Sequence, residues 1–183
     1  TVEKGGMNLV SGLRNLAEDW ERAVSGKKPI GAEQFVVGRD VAITPGKVVY
    51  RNRLIELIRY EPATDKVRPE PVLIVPAWIM KYYILDLSPQ NSLVRYLVER
   101  GFTVFIISWR NVPSELGHLT WDDYLEQGAL AAIRVAKEIA KTPTVNVLGF
   151  CVGGTILACA LAVLATRRER SVELGALLRG HVR

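Results

Sequence analysis

The chain has 183 residues, 49% hydrophobic and 23% charged, which suits one globular core and excludes a disordered or collagen-like chain. Its net charge of +5 comes from scattered Lys and Arg that cluster only at Arg167–Arg170; without a basic stripe and interleaved aromatics, no nucleic-acid partner is expected. The two cysteines, Cys151 and Cys159, make neither a disulfide framework nor a metal pattern, so no metal is expected and a reducing cytoplasm is the simplest compartment.

Nothing at the N-terminus has the form of a secretion signal, and a chain opening at Thr1 is expected to be part of a longer protein. Residues 7–24 place Leu9, Leu13, Leu16 and Trp20 at helical spacing, which predicts an amphipathic outer helix within an N-terminal helical region, 1–34. From 35 to 62, β-branched runs around Gly38 and the Thr44-Pro45-Gly46 turn predict a set of antiparallel strands.

The pattern changes after Pro71. The runs at 72–78, 103–109 and 145–150 are almost continuously apolar, as strands covered on both faces should be. A helix is expected to start with Ser88 as N-cap and Pro89 at its first position, and to run to Gly101. A second starts at Thr120 with Asp122 and Asp123 in its first turn, where acidic charge suits the helix dipole. Strands alternating with helices over 35–166 predict an α/β fold, mostly parallel, with antiparallel strands at its N-terminal side.

Val145–Ala165 is uncharged and long enough to span a bilayer. "GFCVGG" interrupts it, however, and a strand, tight turn and buried helix over 154–166 fit better, with no transmembrane segment. In that context Cys151 stands where a nucleophile elbow of G-x-S-x-G type carries its serine. Gly149, Gly153 and Gly154 would permit a sharp turn and close approach of helix to strand. The helix terminus would favour a thiolate, and the Val152 N–H would face an oxyanion. The alternative is a small buried cysteine in a glycine-rich turn. Spacing and context favour the nucleophile, whereas Cys159, two turns along the helix, reads as core. The glycine offsets match neither the dinucleotide nor the phosphate-loop pattern.

Five stretches carry a resemblance: "NVLGFCVGGT" at 146–155, "KYYILDLSPQNSLV" at 81–94, "SWRN" at 108–111, "TWDDY" at 120–124 and "TPGKVVYRN" at 44–52. Together they resemble the polyhydroxyalkanoate (poly-3-hydroxybutyrate) synthases, most closely those of class I. The resemblance implies an α/β-hydrolase fold, here incomplete, in which Cys151 takes the acyl group of a 3-hydroxyacyl-CoA, releases CoA and holds the growing polyester. CoA is then part of the substrate, and no separate cofactor is implied. A cytoplasmic location at the polyester granule surface, a homodimer of the full-length protein and a short-chain monomer are implied as well. The fold places a second oxyanion donor in the loop after "VLIVPAW", with Ile79 the first choice and Trp78 the next.

Two departures stand out. The family usually has Pro-Pro and an Asn where this chain has Pro76-Ala77 and Met80. Its catalytic aspartate and histidine lie well downstream of the cysteine, and neither is expected within these residues. Residues 167–183 are expected to be a divergent tail, leaving the sheet with an unpaired edge or an exposed apolar face. His118 reads as a loop residue and His181 as part of the tail; Asp86, Asp122 and Asp123 match motif positions other than the triad acid. Rival readings are a cysteine hydrolase of the dienelactone type and a noncatalytic fragment that binds full-length synthase or the polymer surface.

Overall fold

The computed structural model describes residues 5–178. They fall into two compact units, one up to Val41 and one from Ala42. The first contains helix α1, Met7–Val24, and a short 3₁₀ turn, Ala32–Gln34. The amphipathic spacing forms the expected helix, but its stripe of Leu9, Leu13, Leu16 and Trp20 is exposed. The strands expected from residue 35 begin only at 46; before them Val37 and Val41 form an isolated bridge.

The second unit is built on a six-stranded sheet. Strands β1 (Gly46–Arg51) and β2 (Ile55–Tyr60) form an antiparallel hairpin. Strand β3 (Val72–Val75) follows, then a small hairpin of β4 (Asp86–Ser88) and β5 (Asn91–Ser92). Helix α2 (Leu93–Glu99) leads to β6 (Val104–Trp109). A continuous helical stretch is made of α3 (Trp121–Tyr124), a π turn (Leu125–Leu130) and α4 (Ala131–Ala140). Strand β7 (Val145–Phe150), helix α5 (Val152–Thr166) and β8 (Val172–Leu178) complete the unit. The strand order is β1-β2-β6-β3-β7-β8, parallel from β6 to β8 and antiparallel at β1 and β2.

Period-two alternation sorts each central strand onto two cores. Leu73, Val75, Phe105, Ile107, Val145 and Val147 face the layer formed by the π turn, α4 and α5. Val72, Ile74, Val104 and Ile106 face α2 through Val94 and Val98. Burying each such aliphatic side chain contributes on the order of 1.5–3 kcal/mol.

Two further sequence expectations change. The helix expected from Ser88 begins at Leu93, with Ser92 as the N-cap accepting the Arg95 N–H at 2.9 Å. The cause is tertiary. Asp86, only 1% exposed, accepts the Thr44 N–H at 3.2 Å, the Thr44 hydroxyl at 2.7 Å and the Ser92 hydroxyl at 2.6 Å. That anchor holds 86–88 extended despite the local Ser-Pro signal. The boundary placed at 166 also moves, because Val172–Leu178 is the sixth strand. Helix α5 returns the chain beside β7, where pairing satisfies backbone groups that a tail would leave to solvent. Leu174, Leu177 and Leu178 on β8 remain exposed, as an open apolar edge would have them.

Candidate active site

The C-terminal ends of β3 and β7 lie side by side, with Val75 paired to Gly149. Between Phe150 and Val152 the chain reverses sharply at Cys151, which has φ 56° and ψ −128°. A side chain in this backbone conformation costs roughly 1–3 kcal/mol and persists only when its surroundings enforce it. Here the Cys151 N–H donates to Leu178 O at 3.0 Å, and Cys151 O accepts the Gly154 N–H at 2.9 Å.

The glycines contribute closeness rather than positive φ. A Cβ on Gly149 would meet Gly154 Cα at 2.6 Å, and one on Gly153 would lie 2.7 Å from the Pro76 carbonyl carbon and closer still to Val75 O. Gly154 has ordinary clearance, its nearest neighbour being 3.6 Å away. The first turn of α5 therefore sits directly on the end of β3. Cys151 is half-buried at the head of this 15-residue helix. Its groove, about 710 Å³, is lined also by Val152, Thr155, Ala158, Leu177 and Leu178. Cys159 is half-buried against the core, in keeping with its expected role.

Past β3 the chain makes a tight turn in which the Met80 N–H donates to Ala77 O at 3.1 Å. Ile79 is at its tip, 71% exposed, and its N–H takes no part in the backbone hydrogen bonds of the described residues. The Val152 N–H is among the donors that the first turn of a helix leaves without an intrahelical partner. Trp78 packs edge-on against Trp121 at 5.7 Å and tilted against Tyr124 at 5.5 Å.

His118 is exposed in the loop before α3, and His181 lies outside the described residues. Asp123 forms a capping box with Thr120, accepting the Thr120 N–H at 2.9 Å and its hydroxyl at 3.0 Å. Those two bonds, the backbone one first, hold the Asp123 carboxyl below its ordinary pKa. Asp122 is exposed beside it, and Asp86 is the buried anchor described above. Burial, reinforced by the Asp86 charge, raises the neighbouring Tyr60 and Tyr82 hydroxyl pKa values. Among the described residues nothing hydrogen-bonds the Cys151 thiol, and no three His, Cys, Asp or Glu are grouped to hold a metal. No helix of the described residues is long and apolar enough to cross a membrane.

One part of the site joins residues whose contact no local sequence pattern signals. The Trp109 indole N–H donates to Pro76 O at 2.7 Å in the protein interior, and Tyr124 packs on the Trp109 ring at 5.7 Å. Gly128, in the π turn, faces the same ring so closely that a Cβ would lie 2.5 Å from Cη2. π turns concentrate at functional sites.

The chain is similar to known proteins along nearly its whole length. Residues 1–97 match the family described as "Poly-beta-hydroxybutyrate polymerase (PhaC) N-terminus", and residues 70–170 match the alpha/beta hydrolase fold family. It is 50% identical to the "Poly(3-hydroxyalkanoate) polymerase subunit PhaC" of Cupriavidus necator over 97% of this chain and 30% of that one. It is 42% identical to the "Poly(3-hydroxyalkanoate) polymerase" of Methylorubrum extorquens, with the same two coverages. The chain thus spans about 30% of the length of these relatives. Among solved structures, a candidate lipase from Sulfolobus solfataricus superposes with a TM-score of 0.52 at 16% identity, over 73% of this chain and 49% of that one. At that identity the likeness speaks to fold, and it agrees with the sheet order and the elbow in giving an α/β-hydrolase fold. A family match to more than half of the residues, continued by relatives through the elbow, makes this chain a member of the poly-beta-hydroxybutyrate polymerase (PhaC) family.

Proposed function

We propose that this chain carries the nucleophile of a polymerase that joins 3-hydroxyacyl units delivered as CoA thioesters. The observation that carries the reading is the Cys151 backbone, held at φ 56° on a strand-to-helix joint in a chain of this family. Strain of that kind is retained where it serves a site, and a small buried cysteine has no need of it.

The Cys151 thiolate attacks the thioester carbonyl carbon, and the new C–S bond forms as the carbonyl electron pair moves to oxygen. The backbone N–H groups of Val152 and Ile79 stabilise that oxyanion. Collapse breaks the bond to the CoA sulfur, which leaves and takes a proton. The hydroxyl of another 3-hydroxyacyl unit then attacks the acyl-cysteine, forms an ester and returns the thiol. A thiol suits repeated exchange because it is both a strong nucleophile and a good leaving group. Deprotonation falls to a base outside the described contacts of Cys151. No metal or separate cofactor enters this scheme.

We further propose that the enzyme works in the cytoplasm at the polyester granule surface, as a homodimer. The exposed apolar stripe of α1 supports contact with an apolar surface.

The test is to incubate the purified chain with 3-hydroxybutyryl-CoA, measure CoA release and map any acyl adduct by peptide mass spectrometry. Release with an adduct on Cys151, both lost in Cys151→Ala, is expected. CoA release or an acyl adduct that persists in Cys151→Ala overturns the reading.

A further inference from the structure

The oxyanion site just proposed is made of two segments far apart in sequence. Val152 belongs to α5, and Ile79 belongs to the turn after β3. Their separation must be held to a fraction of an ångström if both N–H groups are to meet one oxygen. Something other than their own short turns has to set it.

Pro76 is where the segments meet. On one side its carbonyl lies against Gly153, the neighbour of Val152, at a distance that leaves no room for a Cβ. On the other side its oxygen accepts the Trp109 indole N–H at 2.7 Å, and both Pro76 and Trp109 are buried. A buried carbonyl with one well-aligned donor is strongly oriented, because rotating the peptide would leave donor and acceptor unsatisfied. The Trp109 ring is fixed in turn by Tyr124 on one flank and by Gly128 of the π turn against its far edge. Tyr124 also packs on Trp78, one residue before Ile79. The indole thus ties both sides of the oxyanion site to the sheet.

We infer that Trp109 is a positioning residue, whose N–H to Pro76 O sets the spacing between the Ile79 and Val152 backbone donors. The π turn places glycine where an ordinary side chain would push the ring away. This inference rests on the polymerase reading above.

The purified chain and its Trp109→Phe and Gly128→Ala variants are treated with 3-hydroxybutyryl-CoA and, separately, with iodoacetamide. Modification of Cys151 is followed by mass spectrometry. Alkylation develops no oxyanion, so it reports only access to the thiol and its ionisation. Trp109→Phe keeps an aromatic ring and removes the N–H. It should slow acylation at saturating thioester about tenfold or more, short of the roughly 10²–10³ lost with a donor itself. The half-saturating thioester concentration and the alkylation rate should both stay within about twofold. Gly128→Ala, which keeps the N–H but displaces the ring, should show the same selective loss. Acylation unchanged in Trp109→Phe overturns the positioning role and leaves the polymerase reading intact. A parallel fall in alkylation also overturns that role, because the elbow itself has then been disturbed. Acylation of the wild-type chain at a residue other than Cys151 overturns the polymerase reading, and the inference falls with it.

Discussion

A methyl group on Gly153 would stand 2.7 Å from the Pro76 carbonyl carbon, with Val75 O nearer still, whereas one on Gly154 would find its nearest neighbour at 3.6 Å. Both residues lie in the first turn of α5 and both are buried. Helix propensity alone favours alanine over glycine at either position, by up to about 1 kcal/mol in a helix interior. The difference between them is therefore steric. Val75 is the last residue of a central strand, bonded to neighbours on both sides, so its carbonyl cannot yield as the end of a flexible side chain would. Overpacking against such a wall costs typically 1–3 kcal/mol, and a clash with main chain belongs at the upper end. Gly153→Ala is expected to lose about 3 kcal/mol and Gly154→Ala to gain about 0.5 kcal/mol, measured by urea unfolding at constant m. For a chain of this size the first corresponds to a fall in Tm of roughly 6–12 °C. Equal effects at the two positions, or a Gly153→Ala variant as stable as wild type, would refute the close approach of α5 to β3.

The strain at Cys151 gives a second expectation: Cys151→Gly should raise stability by about 1 kcal/mol while abolishing acylation, since glycine adopts positive φ without a Cβ penalty. Asp86→Ala should cost about 3 kcal/mol, because it leaves Thr44 and Ser92 donors unpaired in the interior; Ser92→Ala, which removes the N-cap acceptor of α2, should cost about 1 kcal/mol, and denaturant titration of the pair checks the order. Asp123 has a folded pKa below its ordinary value of 3.8. A depressed carboxyl pKa contributes stability above the unfolded value and loses it as pH falls through the folded one. Asp123→Asn should therefore be less stable than wild type at neutral pH and converge with it as the pH falls through the depressed pKa; a difference independent of pH would sink the assignment.

Much of this fold was legible because its central signals are local. Val72–Val75, Val104–Trp109 and Val145–Phe150 announce buried strands by continuous apolar composition. Thr120 and Asp123 announce a helix start by side chains that reach their own first turn. The elbow was readable from residues 149–154, since glycine spacing reports close approach directly. Where the readings failed, a distant partner had decided. Ser88-Pro89 carries a good helix-start signal, yet Asp86 is tied to Thr44, 42 residues away, and the local preference yields. Gly128 looks like a weakness in a helix until its neighbour Trp109 is known. The α1 spacing gave the helix correctly, but amphipathicity cannot say what, if anything, covers the apolar face.

Strand β8 bears most directly on chemistry. Residues 167–183 carry no motif and read as a divergent tail. Yet the unusual backbone of Cys151 is held partly from that side, by the bond from its N–H to Leu178 O, where β8 continues the ladder past Phe150. A strained turn does not persist on its own sequence, because the strain must be offset by bonds that any relaxed conformation would break. Glycines at 149 and 153 make the turn sterically possible, and the pairing of β7 with β8 adds a backbone hydrogen bond that holds it. The turn at Cys151 is thus held by a parallel strand that joins the sheet only after α5 has crossed over, and that requirement cannot be seen in any window around the cysteine.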